Sequence, residues 1–171
     1  MANDRELITE VVTINRVSKV SKAGRQSSFT VHVVVGDGKS KVGLGSGKAK
    51  EVSIAMQKAV DEAKKSMHKI QLINGTLHHA IQSQYGASIV YMSPASPGTG
   101  VIAGGAMRSV FDCLGVENVL AKRYRSSNPV NVVKATIKGL RDMESLADVA
   151  KRRNISKSKV LGRVQNQKKD S

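Results

Sequence analysis

SFTVHVVVGDGKSKVGLGSGKAKEV, residues 28–52, decides the fold of the first half of the chain. Phe29, Val31, Val33 and Val35 alternate with Thr30, His32 and Val34, the period-two pattern of a strand with two distinct faces. Gly36, Asp37 and Gly38 then read as a hairpin turn, because Asp-Gly tolerates the positive φ that a tight turn requires. A second strand follows, with Val42 and Leu44 on one face and glycine at 43, 45 and 47. From about Ser53 to Lys69 the period lengthens to that of a helix, with Met56, Ala59, Val60, Ala63, Met67 and Ile70 as its apolar stripe. Upstream, ITEVVTINRVSKV (residues 8–20) predicts a further strand with a broken alternation, ending in a short basic loop at SKAGR (residues 21–25). Three antiparallel strands and one covering helix make a small α+β domain over residues 1–70.

Glycines, a lysine and then a helix invite a phosphate, so the nucleotide motifs are tested first. A P-loop ending at Gly47-Lys48 requires glycine at 42 and Ser or Thr at 49, where this chain has Val42 and Ala49. A dinucleotide loop requires G-x-G-x-x-G after a strand of a parallel sheet, and here Gly43 and Gly45 are followed by Lys48 in an antiparallel context. The glycines are therefore expected to let the strand pass close to another backbone, in the protein or in a bound polynucleotide.

Charge points to the polynucleotide. The chain has 171 residues, 28 Lys and Arg against 13 Asp and Glu, and a net charge of +15. A field of that sign concentrates nucleic acid or anionic lipid. The excess is uneven: 13 basic against 7 acidic residues in 1–70, 7 against 5 in 71–150, and 8 against 1 in 151–171. The last stretch, KRRNISKSKVLGRVQNQKKDS, has little to bury and is expected to order, in part, only against a partner. Lys39, Lys41, Lys48 and Lys50, with Lys19, Lys22 and Arg25 on the other loop, are expected to line one edge of the first sheet. Arg16, Gly24, Lys122, Arg123 and Arg125 complete the candidate RNA contacts. No apolar run approaches a membrane span, no signal peptide is visible, and the single Cys113 fits a reducing cytoplasm as a small buried apolar residue.

Residues 71–150 predict a second α+β domain. INGTLHHAIQ (residues 73–82) opens it with a strand and a turn, and GASIVYM (residues 86–92) is a strand. A proline-glycine loop at 93–100 leads to a helix carrying Met107, Val110, Phe111 and Leu114, then to a strand at NVLAKRY (residues 118–124). A helix capped by Asn128, with Pro129 in its first turn, buries Val130, Val133, Ile137 and Leu140. SLAD (residues 145–148) is a capping box opening a last short helix. GTGVIA (residues 98–103) fits a relaxed dinucleotide pattern, with Glu117 about 20 residues on. Pro94 and Pro97 loosen its turn, and the domain is too short for the parallel strands such a site needs. His32, His68, His78 and His79 lack ligand spacing, so neither a metal nor a cofactor is expected. Five scattered aromatic residues make no evident base-stacking platform, which favours RNA recognised by shape and phosphate. The glycines at 98, 100, 104 and 105 allow special backbone angles, and the helix starting near Gly104 offers its first N–H groups to an anion, with Arg108 one turn in.

Gly24-Arg25-x-x-x-Phe29, VVGDG at 34–38 and VGLGSGKAKEV at 42–52 together resemble the signature of the small-subunit ribosomal protein five family. PASPGTGVIAGGAMRSV at 94–110, NVLAKRY and NPVNVVKATIKGL at 128–140 resemble its second half, so the likeness covers about residues 7–150. The resemblance implies a first domain related to double-stranded-RNA-binding folds, without room for that fold's first helix, and a second sheet with helices on one face. It implies a structural role in the small ribosomal subunit, bound to its RNA beside ribosomal proteins four and eight, with no catalysis, no cofactor, no small-molecule substrate and no membrane. It also implies a part in fitting the head of the subunit to its body and in decoding accuracy. The segment Gly98, Gly100, Gly104, Gly105 and Arg108 would then face protein four. Ala23, Leu44, Ser46, Ser53 and Arg125 depart from the family's usual residues, Arg125 standing where a glycine is common. Two further readings follow from residues alone: a small dinucleotide-dependent enzyme built on GTGVIA, and a free-standing double-stranded-RNA-binding regulator.

Overall fold

The computed structural model describes residues 7–22, 24–156 and 159–160. Most of the basic tail, and Ala23, lie outside them. In chain order the elements are β1 (Ile8–Ser21), β2 (Gly24–Gly36), β3 (Lys41–Ala49), α1 (Val52–Lys65), β4 (His68–Lys69), β5 (Ile81–Tyr85), β6 (Ser88–Pro94), β7 (Val101–Ile102), α2 (Gly105–Leu114), β8 (Val119–Arg125), α3 (Pro129–Arg141) and α4 (Leu146–Arg152). They form two four-stranded sheets, ordered β1-β2-β3-β4 and β5-β6-β8-β7. The expected α+β architecture is present, and α2 and α3 cover one face of the second sheet.

The broken alternation in β1 has a structural cause. Val11 pairs with Val33 and Thr13 with His32, so Val12 is an extra residue in the ladder, a β-bulge that reverses which side chains face which way. Beyond the bulge β1 and β2 stay paired up to Ser21 and Gly24, so the expected basic loop at 21–25 shrinks to the tip of a two-stranded arm. The first sheet also gains β4, whose residues pair with Lys41 and Val42. The turn after β2 is a four-residue connection closed by Asp37, whose Oδ1 accepts the N–H groups of Lys39, Ser40 and Lys41 at 3.0, 2.8 and 2.8 Å. Burial opposes ionisation there, but the bonds from Ser40, Lys41 and Lys39 outweigh it and hold the carboxyl below the usual carboxylate range.

Helix α1 stops at Lys65, with Ser66 as its C-cap, four residues before the predicted end. Its fully buried face is Ala55, Ala59 and Ala63, while Met56 and Val60 sit at the margin and Ile70 joins the other core cluster. The reason lies in β3. A Cβ on Gly47 would stand 1.9 Å from the Ala55 carbonyl oxygen, one on Gly45 1.9 Å from that of Ala59, and one on Gly43 2.3 Å from that of Ala63. Four helical residues rise about 6.0 Å and two strand residues about 6.7 Å, so alanines at every fourth position and glycines at every second stay in step along the contact. The small stripes bring α1 down onto the sheet backbone.

The other face of the first sheet is buried too. Val34 and Val42 join α2, α3 and the second sheet in one apolar cluster, whereas Val31, Val33 and Val35 pack under α1. The layers are thus α1, first sheet, α2 with α3, and second sheet. Helix α3 is buried more widely than the predicted stripe: Val132, Ala135, Thr136 and Gly139 are covered along with Val133, Ile137 and Leu140, and Val130 lies at the margin. Asn128 caps α3 through the N–H of Val130, and Ser145 with Asp148 forms the capping box of α4. Cys113 is fully buried, and burial pushes its thiol up to about 12, so it stays neutral.

Candidate nucleic-acid interface

The arm formed by β1 and β2 is the most basic projection of the described molecule. Residues 11–36 contain no Asp or Glu, and Arg16, Lys19, Lys22 and Arg25 all lie on the arm. Pairing places Arg16 opposite Phe29, Ser18 opposite Ser27 and Val20 opposite Arg25, so both arginines share one face. Each is tied across the ladder by a serine: Arg16 Nη2 donates to Ser27 Oγ at 3.2 Å and Arg25 Nε to Ser18 Oγ at 2.9 Å. The two flank a groove of about 370 Å³. A guanidinium held this way keeps its remaining N–H groups aimed outward, prepared for phosphate oxygens. Lys19 projects from the opposite face, Lys22 stands at the tip, and Val20 is 78% exposed. Gly24 makes the turn with φ of 117°, a conformation that favours glycine.

The expected single basic edge divides in two. Lys48 pairs across the sheet with Thr30, and Lys50 follows the end of β3, so these two sit near the root of the arm. Lys39 and Lys41 sit at the other end of β3, by the Asp37 turn. Ser46, on the same strand, donates its N–H and hydroxyl to Glu62 of α1 at 2.9 and 3.2 Å.

In the second sheet Lys122, Arg123 and Arg125 come from β8 and meet Gly104 around a groove of about 530 Å³. Arg123 also reaches a smaller cleft between the starts of α2 and α3, beside Gly104, Gly105 and Pro129. Gly104 is the N-cap of α2 and no side chain closes that end; Met107 N–H bonds back to the Gly104 carbonyl, so the N–H groups of Gly105 and Ala106 are left for an outside acceptor. Arg108 is turned along the helix toward Asp112, at 3.7 Å, instead of toward the helix start. Gly98 and Gly100 adopt φ of 89° and 75° in open space. The Gly100 N–H donates to Asn118 Oδ1 at 3.1 Å and its carbonyl accepts from Val119, which fixes the loop to β8. GTGVIA is therefore not a strand-to-helix turn: β7 lies between its glycines and α2, and those glycines close a loop before that strand.

A family model described as "Ribosomal protein S5, N-terminal domain" matches residues 7–71, and one described as "Ribosomal protein S5, C-terminal domain" matches residues 83–153. The chain belongs to the ribosomal protein S5 family. Relatives named "Small ribosomal subunit protein uS5" are similar along nearly their whole length. That of Tolumonas auensis is 54% identical over 157 residues, covering 92% of this chain and 95% of the relative. That of Idiomarina loihiensis is 53% identical over 161 residues, covering 94% and 97%. That of Chromohalobacter salexigens is 52% identical over 166 residues, covering 95% and 100%. Membership sets aside the enzyme reading of GTGVIA, and among the described residues no cluster of three or more metal-ligating side chains occurs.

One surface of this family member was not legible in the residue pattern. Tyr91 and Tyr124, far apart in sequence, lie with Ile102 and Leu120 on the outer, uncovered face of the second sheet. Register alone could have joined them: Tyr91 pairs with Lys122 and Ile89 with Tyr124, which puts the tyrosines on one diagonal.

Proposed function

We propose that the chain works in the bacterial cytoplasm as a structural, RNA-binding constituent of the small ribosomal subunit and catalyses nothing itself. The observation that carries this is the arm: four cations, no carboxylate, and two guanidiniums fixed by serines so that they face outward. Such a surface binds through phosphates, which position a protein on RNA without reading sequence. Lys48 and Lys50 extend it at the root, while Lys39 and Lys41 make a second contact. Lys122, Arg123 and Arg125 make a third on the second sheet, next to the uncapped helix start.

Neighbouring ribosomal proteins take the remaining exposed features. The loop from Gly98 to Arg108, with the N–H groups of Gly105 and Ala106 open to an outside acceptor, suits an acidic edge of protein four. The apolar outer face of the second sheet suits protein eight, because an uncovered patch with two tyrosines, an isoleucine and a leucine has the composition of an interface core. A contact of modest strength at the glycine loop can open and close, and a change there shifts that balance and with it decoding accuracy.

The test uses a cell whose sole copy of the chain carries Gly100→Asp. The chain co-sediments with small subunits in normal amount, and readthrough of a stop codon in a reporter departs from wild type. Readthrough at the wild-type level with normal sedimentation removes the accuracy role. Absence of the unaltered chain from small subunits removes the whole reading.

A further inference from the structure

A cleft of about 290 Å³ lies between the two sheets, away from the arm and from the groove beside Gly104. One wall belongs to the first sheet: Leu44 of β3, Ser66 at the end of α1 and His68 of β4. The Ser66 hydroxyl donates to the Leu44 carbonyl at 2.9 Å and fixes that wall. The facing wall is α3, which presents Lys134, Lys138 and Arg141 at spacings of four and three residues, with Ile137 at the base and Tyr85 of β5 beside them.

Two features of this cleft suit an anionic ligand with a flat ring. Lys134 and Lys138 are like charges one turn apart, an arrangement that destabilises a helix unless an anion neutralises it. No Asp or Glu lines the cleft: Asp142 lies 3.6 Å from Arg141 at the exposed end, and Glu62 is bound to Ser46. Burial, and then the nearby charge of Lys134, hold His32 of β2 below the usual imidazole range, so the neighbouring histidine adds no charge of its own near neutral pH. The second feature is the ring. Lys134 Nζ stands 5.2 Å from the centroid of Tyr85, and Lys138 Nζ reaches only the Gln84 carbonyl at 3.4 Å. Neither ammonium has a carboxylate partner among the described residues, and Lys134 drawn to an anion would uncover the tyrosine face.

We infer that this cleft is a binding site for a single phosphorylated nucleoside, its base stacked on Tyr85 against Leu44 and Ile137 and its phosphate held by Lys134, Lys138 and Arg141. The nucleotide comes either from the RNA the chain binds, extruded from its helix, or from the free mononucleotide pool; the first source rests on the function proposed above.

The chain has three tyrosines and no tryptophan, so tyrosine emission reports stacking directly. AMP is titrated into the full chain, with adenosine and inorganic phosphate as controls, and the amide resonances of Leu44, Ser66 and Ile137 are followed alongside. AMP quenches the emission and moves those amides, and each half-molecule binds at least about tenfold more weakly. Lys134→Gln with Lys138→Gln weakens AMP by about tenfold or more at an unchanged melting temperature, Lys134→Arg with Lys138→Arg restores it, and Tyr85→Leu abolishes the quench. If Tyr85→Leu also weakens small-subunit RNA, the occupant is a nucleotide of that RNA; if it affects AMP alone, the occupant is free. The inference is overturned if AMP moves none of these amides and Tyr85→Leu leaves RNA affinity unchanged, or if inorganic phosphate binds as tightly as AMP. Normal salt-dependent RNA binding in that case leaves the proposed function standing.

Discussion

Arg125 ends β8 with φ of 61°, a left-handed conformation that costs a non-glycine residue roughly 1–2 kcal/mol. A β-carbon there crowds the following carbonyl, and glycine has no such clash. The charge at this position is thus kept at a conformational cost, in line with a contact to phosphate. Arg125→Gly is expected to raise stability by about 0.5–1 kcal/mol, the relief of strain exceeding the added freedom of the unfolded chain. The same variant binds small-subunit RNA more weakly. Chemical denaturation together with filter binding checks both, and a glycine variant that melts lower contradicts the strain argument. The strain was invisible in the residue types, since arginine carries no sign of its backbone angle; only the family resemblance marked the position.

At the scale of elements, α1 on β3 governs how the first sheet is built. The predicted stripe contains Ala59 and Ala63 together with Met56, Val60 and Met67, whereas the fully buried contact is Ala55, Ala59 and Ala63 because the facing strand offers no side chains. The glycine spacing was readable, and so was its meaning as close backbone approach, but residues alone left open whether the approaching backbone was protein or RNA. The helix carbonyls within 2.3 Å of the missing β-carbons answer that. Gly45→Ala, whose new methyl meets the backbone of Ala59 and Ala63, is expected to cost about 3 kcal/mol, since no side chain can turn away to admit it. Urea denaturation measures this, and a loss below about 0.5 kcal/mol contradicts the packing account. Most strands, the helices and the caps were legible from alternation, period and cap residues, but β4 fell inside the predicted helix and the strand expected at 73–82 lies at Ile81–Tyr85. The strand at 8–20 was readable, its broken alternation being the Val12 bulge, but the loop after it was drawn too wide, since Ser21 still pairs with Gly24; β7 is too short to leave a pattern.

For the whole molecule, one detail of sequence anticipates the shared core. The run Val33, Val34 and Val35 is fully buried, which requires both faces of the sheet to be covered, one by α1 and the other by α2 and its neighbours. The basic groups are left outside that core, on the arm, at the ends of β3 and on β8. Which of them share a surface depends on hairpin register and strand order, and composition carries neither. The proposed function requires that these surfaces hold small-subunit RNA through its phosphates. The most direct test is the salt dependence of that affinity for the full chain and for Lys22→Glu, at the tip of the arm. Affinity is expected to fall steeply between about 50 and 200 mM salt, and Lys22→Glu to bind more weakly, with a slope shallower by about one ion and an unchanged melting temperature. An affinity that stays level across that range, or a Lys22→Glu chain that unfolds, would contradict it.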